Sequence, residues 1–177
     1  VGAVVGALAG AGVGHYMDNQ RNELEAKLKA EEQAKLLNIT EMGDDTLKIG
    51  IASDASFDLG SAQLKPEALN TYGKIANILK TYDKTVIHIV GHTDSSGPDN
   101  INQTISENRA AAVATYFQNL GVDSSRVRTE GRGERELLVK TGDAVKEPRN
   151  RRVDIVIKAV VEGREDSAWT PPPYLGG

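Results

Sequence analysis

The chain has 177 residues and a formal net charge of −4, with 39% hydrophobic and 26% charged residues. That balance suits one folded domain with appendages; it excludes a wholly disordered chain and argues against a protein built to grip a nucleic-acid backbone. Cysteine is absent and the three histidines are His15, His88 and His92, which rules out disulfides, thiol nucleophiles and cysteine-type zinc centres.

Residues 1–14 read VGAVVGALAGAGVG. Gly2, Gly6, Gly10 and Gly14 recur every fourth residue and would share one face of a helix. A bare face of that kind lets another helix approach closely, the packing mode of membrane helices. The stretch is shorter than the roughly 20 apolar residues that span a bilayer. The expectation is a helix over 1–14 that packs against a membrane or against copies of itself. The first residue is Val1, so an upstream signal peptide or lipid anchor stays open. Residues 15–43 are rich in helix formers, with Glu23–Lys27 and Glu25–Lys29 pairs at i, i+4. Their apolar residues (Leu24, Leu28, Leu36, Leu37) are sparse, which predicts a solvated spacer helix.

A globular domain is expected over 44–162. Thr46–Ala52 alternates apolar and polar residues and predicts a strand. Pro66 suits the first turn of a helix, and Leu69, Tyr72, Ile75, Ala76 and Leu79 continue its stripe to Tyr82. Thr85–Val90 (TVIHIV) predicts a strand buried on both faces. Gly91–Asn100 is a polar loop, and Ile101–Leu120 a helix. Val127–Gly131 and Arg152–Lys158 predict two more strands, separated by a charged loop over 132–150. The order βαβαββ predicts a two-layer α/β domain with helices on one face of a mixed sheet.

Enzymatic readings find little support. His92, Asp94 and the adjacent serines lie on one loop, without a Gly-x-Ser-x-Gly elbow. His92 and Asp94 lack a third metal ligand, and no phosphate-binding loop is present. No catalytic residue, metal or cofactor is assigned. His88 sits mid-strand and reads as a packed, hydrogen-bonded core residue. The sizeable basic cluster is 126–152, with nine Arg or Lys against five Asp or Glu. It is either a solvated loop or a face for an anionic ligand.

The string GHTDSSGPDNINQTISENRAAAV…LGVDSSRVRTEGRGE…NRRVDI, with FDLGSAQLKPEA before it, resembles the OmpA-like C-terminal domain family over about residues 44–159. The glycine-rich start followed by such a domain is similar to a subgroup of outer-membrane lipoproteins. The resemblance implies non-covalent binding of peptidoglycan through the diaminopimelate of its stem peptide, on the periplasmic side of an outer membrane. By position, Asp94 matches the aspartate that pairs with the ligand ammonium, and Arg109 the arginine that grips its carboxylate. Thr93, Asn102 and Arg151 match further polar contacts. A zwitterion needs one fixed anion and one fixed cation, and arginine offers carboxylate a planar two-donor fork. Two readings of the arginines stay open: Arg109 as a structural ion pair with Glu107 or Asp94, and Arg151 and Arg152 as solvated strand-end charges. Neighbours on a strand face opposite ways, so at most one of Arg151 and Arg152 should reach the pocket. The loop between Gly133 and Arg149 departs from the family pattern, lacking its early proline and its Gly-Arg before NRR.

Residues 163–177 (GREDSAWTPPPYLGG) form a proline-rich tail with Trp169, Tyr174 and Leu175 as apolar anchors. Docking of this tail on another subunit of an envelope assembly is expected. The rival to wall binding is a scaffold subunit that keeps the fold for protein contacts, with its pocket blocked by the 133–149 loop or a neighbour. A motor-stator role would need a membrane helix with a functional acid, which residues 1–14 do not contain.

Overall fold

The computed structural model describes residues 5–43 and 45–174. Its helices are α1 (Val13–Lys27), α2 (Lys29–Gln33), α3 (Ser53–Ser56), α4 (Pro66–Thr81) and α5 (Asp99–Asn119). Its strands are β1 (Leu37–Glu41), β2 (Thr46–Ala52), β3 (Thr85–His92), β4 (Val127–Gly131) and β5 (Arg152–Ala159). They form one sheet in the order β1-β2-β5-β3-β4. Only β3 and β4 pair in parallel, and α5 makes the crossover that such a pair needs.

Alternation along the strands builds the core. Ile49, Ile155 and Ile89 stand side by side in register and are fully buried. Tyr72, Ile75 and Leu79 of α4 and Val113 and Phe117 of α5 close over that face. α5 can lie close to the sheet because two strand residues lack side chains. A Cβ on Gly91 would sit 2.2 Å from the Ser106 carbonyl oxygen, and one on Gly131 would sit 2.4 Å from the Glu107 amide nitrogen. Arg126 is buried behind the last turn of α4 and donates to the carbonyls of Leu79 (2.8 Å), Tyr82 (2.8 Å) and Thr85 (3.0 Å). Those bonds serve orphan carbonyls at a helix C-terminus, where a cation also complements the dipole.

Three segments differ from the sequence expectation. The helix expected over 1–14 is not formed over residues 5–9, which bridge to the chain beyond β5. The Leu8 amide donates to Val160 O (2.8 Å), and the Glu162 amide donates to Leu8 O (2.9 Å). Apolar Val5 and Ala7 pack with Val86 and Val160, which favours this placement over a free helix. Gly6 lies in this extended part against the Lys84 stem, Gly10 in a single 3₁₀ turn and Gly14 in α1. Among the described residues, a Cβ on Gly10 or Gly14 would meet nothing within 4 Å. Gly2 lies outside the described residues. Among the described residues no helix is long and apolar enough to cross a membrane.

The spacer over 15–43 is part of the domain. Val13, Met17, Leu24 and Leu28 are buried on one stripe and join the main core. Tyr16 packs edge-on against Tyr82, and Glu31 accepts from Lys74 Nζ (3.0 Å) and Thr71 Oγ1 (3.1 Å) on α4. Residues 37–41 add a fifth strand.

The tail lies on its own domain. It crosses the sheet face opposite the helices, where His88 donates from Nε2 to Ala168 O (2.8 Å) and Trp169 stacks under Arg128 (4.4 Å). Buried Arg132 donates to Pro172 O and stacks on the Tyr174 ring (4.0 Å). Both faces of β3 are therefore covered, and all eight of its residues are buried. Leu175 lies outside the described residues.

Candidate functional site

Three strand ends meet at one edge of the domain. β3 delivers Thr93 and Asp94, β2 delivers Asp54 just beyond Ala52, and Arg151 immediately precedes β5. Asp94 is 2% exposed. Its Oδ1 accepts from the Ser96 amide (3.0 Å) and hydroxyl (2.5 Å). Its Oδ2 accepts from the Glu147 amide (3.1 Å) and Arg151 Nη1 (2.5 Å). Burial pushes the Asp94 carboxyl upward, but these donors outweigh it and hold the carboxyl below its usual range.

Arg151 is shared between two aspartates. Its Nε and Nη2 donate to Asp54 Oδ1 (3.0 Å) and Oδ2 (2.7 Å), a two-donor fork on one carboxylate. The guanidinium of Arg151 lowers the Asp54 carboxyl, and Asp54 and Asp94 together raise Arg151 above the usual arginine range. Arg152 points to the other face and bonds to Asp154, Asn150 O and Glu136 O. One member of the pair reaches the site, as strand alternation requires.

Arg109 on α5 is 6% exposed. Nε donates to Ser61 O (2.8 Å), Nη2 donates to Asp58 O (3.2 Å), and the guanidinium lies 5.0 Å over the Phe57 ring. Among the described residues it has no carboxylate at salt-bridge distance, so a structural pair with Glu107 or Asp94 is not formed. Burial lowers its pKa, and Asp54 and Arg151 are the charges that act on it. The segment before α4 thus holds a cation by two backbone carbonyls and the Phe57 ring, with no carboxylate at salt-bridge distance among the described residues.

Thr93 and Asn102 also bond within this corner. The Thr93 amide donates to Gly133 O (2.8 Å), and its hydroxyl donates to Asp94 O (2.8 Å). Asn102 Nδ2 donates to Ser96 O (3.0 Å) and Gly97 O (3.3 Å). Both shape the loop that carries Asp94. The loop after β4 seals the same corner. Ser95 Oγ donates to Gly142 O (2.7 Å), and the Ala144 amide donates to Ser95 O (3.0 Å). Asp54, Ser96 and the Glu147 amide were not anticipated from sequence. Asp54 had a faint signal, an acid directly after a predicted strand; a backbone donor has none.

His92 is buried and lies 3.2 Å from Asp154 Oδ2, on the face away from Asp94. Among the described residues no three His, Cys, Asp or Glu side chains are grouped to hold a metal.

The OmpA family model matches residues 56–151, more than half of the chain, and the match spans Asp94, Arg109 and Arg151. The chain belongs to the OmpA family. This family's domain is non-enzymatic. The probable lipoprotein YiaD of Escherichia coli is 38% identical over 148 residues, 84% of this chain and 65% of that protein. The chain therefore spans under two thirds of that relative's length. Among solved structures, the cell wall anchor of the T6SS from Pseudomonas aeruginosa superposes with a TM-score of 0.67 at 26% identity. It covers 77% of this chain and 96% of that one. The peptidoglycan-associated lipoprotein of Burkholderia pseudomallei gives a TM-score of 0.53 at 26% identity, covering 59% of this chain and 88% of that one. The OmpA-like fold, a mixed α/β sheet preceded by an N-terminal helix, is as the sequence predicts.

Proposed function

We propose that this OmpA-family domain binds peptidoglycan without covalent chemistry, holding the diaminopimelate of a stem peptide and tethering an outer membrane or envelope assembly to the wall on its periplasmic side. The observation that carries the reading is Arg109, a buried guanidinium without a carboxylate partner among the described residues, beside an aspartate cluster. A ligand carboxylate completes it. Two aspartates and two arginines make the cluster neutral, which suits a zwitterion with its own ammonium and carboxylate. An ionised carboxylate offers about four acceptor positions, and Asp94 already receives four donors. The ligand ammonium therefore takes the position of Arg151 Nη1, and the fork on Asp54 keeps Arg151 in place as it yields. The names of the two solved relatives, a cell wall anchor and a peptidoglycan-associated lipoprotein, support the same ligand.

The test is co-sedimentation of the full chain with purified diaminopimelate-type peptidoglycan. The full chain is needed because removing residues before 44 would take away β1 and the buried stripe of α1. A hydrogen bond to a charged group is worth about 1.5–3 kcal/mol, so Arg109→Ala should weaken binding by roughly 10- to 150-fold while the protein stays folded. Wild-type protein that stays in the supernatant would refute wall binding. In that case the scaffold reading gains, and the structural reason would be the 132–150 loop, which already closes on Asp94.

A further inference from the structure

A groove of about 650 Å³ lies outside the Asp94–Arg109 cluster. It runs along the face of the sheet opposite the helices. Asn38, Gly50 and Asp154 form its floor, the turn after α2 one wall, and the 138–149 loop the other. Its volume is in the range of a small-molecule or peptide site. Gly50 keeps the floor low: a Cβ there would lie 3.2 Å from Asn38 Oδ1 and 3.3 Å from Asp154 Oδ1. Leu36 and Leu138, 40% and 47% exposed, offer apolar surface on opposite walls. Arg151 lines the groove as well as contacting Asp94, so the two sites share a partition.

Five basic side chains line the groove (Lys35, Lys48, Arg149, Arg151 and Arg152) against two acidic ones, Glu32 and Asp154. Arg149 is occupied by Glu147, and Arg152 by Asp154. Lys35 and Lys48 also line it, and among the described residues neither has a carboxylate at salt-bridge distance. Lys35 sits in the left-handed region, at φ 60°, directly after α2. The Leu36 amide donates to Glu31 O (3.0 Å) there, closing the helix end in the manner that favours glycine. A lysine at this position carries a conformational cost and places a cation at the groove.

We propose that this groove binds the acidic residue next to the diaminopimelate in the same stem peptide, with its carboxylate between Lys35 and Lys48 and the neighbouring alanine methyl on the leucine walls. The inference rests on the wall-binding reading, since the shared Arg151 partition is what brings both parts of one ligand together. It makes the domain a reader of two stem-peptide residues, able to distinguish a free glutamate carboxylate from its amidated form.

Two soluble tripeptides serve as probes, alanyl-γ-glutamyl-diaminopimelate with the glutamate carboxylate free or amidated. Their affinities for the full chain are measured by calorimetry. Wild type should prefer the free acid by roughly two- to tenfold, the scale of one or two partly exposed ion pairs. Lys35→Gly and Lys48→Met should each reduce that preference and leave the affinity for the amidated peptide unchanged. Equal binding of both peptides by wild type, or an undiminished preference in both variants, overturns the groove assignment while wall binding stands. Failure to bind either peptide overturns both.

Discussion

Replacing Asp94 by asparagine tests whether one carboxylate organises the binding corner. The amide keeps the shape and removes the charge. The carboxylate now receives two donors on each oxygen, from Ser96 on one side and from Glu147 and Arg151 on the other. An asparagine amide has an acceptor on only one side: its NH₂ confronts the Ser96 amide in one orientation, where the Ser96 hydroxyl can turn to accept, and two obligate donors, the Glu147 amide and Arg151, in the other. One or two charge-assisted hydrogen bonds are lost, each worth about 1.5–3 kcal/mol in isolation. They share one acceptor and are not additive, so the combined loss should be about 2–4 kcal/mol. Urea unfolding followed by circular dichroism measures it, and the midpoint should fall without change in the slope. Hydrogen exchange should show the Glu147 amide losing protection. A stability change below about 1 kcal/mol, with that amide still protected, would refute the view that Asp94 holds the 142–147 loop against the β3–α5 turn. Comparison with Arg109→Ala separates structure from recognition: that variant leaves the bonds of the 142–147 loop intact, so weakened binding there cannot be assigned to its loosening.

Two other expectations follow from the packing and the charges. Gly91→Ala forces a Cβ to within 2.2 Å of the Ser106 carbonyl oxygen, so α5 or β3 must move. Overpacking of this kind costs about 1–3 kcal/mol or more, and a displaced α5 carries Arg109 with it. Lower thermal stability together with lost peptidoglycan sedimentation is expected; an unshifted Tm would refute the close approach. Acidification should destabilise the domain in two steps. Burial holds His88 below its ordinary pKa, so protons bind first to the unfolded chain as pH falls below about 6.5. Asp54, Asp94 and Asp154 are also held below their ordinary value, so their contribution is complete above about pH 4 and disappears as pH drops through their folded pKa values. Urea midpoints between pH 7 and pH 3 measure both, and His88→Gln should remove the upper step alone.

The sheet core was legible because its strands alternate: Leu47, Ile49 and Ile51 announce one buried face, and TVIHIV announces two. The second cover of β3 was not, since the tail that provides it looks like a solvent-exposed polyproline segment. Its anchors depend on partners distant in sequence, such as Arg132 for Pro172 and Tyr174. The stripe on α1 is faint in sequence because its leucines alone do not mark a face; Val13 and Met17 complete it. β1 is short, and its pattern Leu37, Ile39 is too brief to separate from a helix end. At the site, Asp94, Arg109 and Arg151 stood out by residue type. Sequence could not show that Asn102 and Thr93 serve the loop, because an amide or hydroxyl looks the same whether it meets ligand or backbone.

The short clip at Leu8 has a mechanical consequence. It joins the chain beyond Ala159, whereas Asp94 and Arg151 lie at the opposite end of β5, a strand of eight residues. At about 3.3 Å per residue the two points are separated by roughly 26 Å along the strand. A pull between the N-terminal segment and a held ligand therefore runs nearly parallel to the strands. Antiparallel hydrogen bonds lie across that direction, so many of them share the load at once instead of opening one after another. In the proposed wall-bound state, tension between the N-terminal segment and the ligand would load these bonds together.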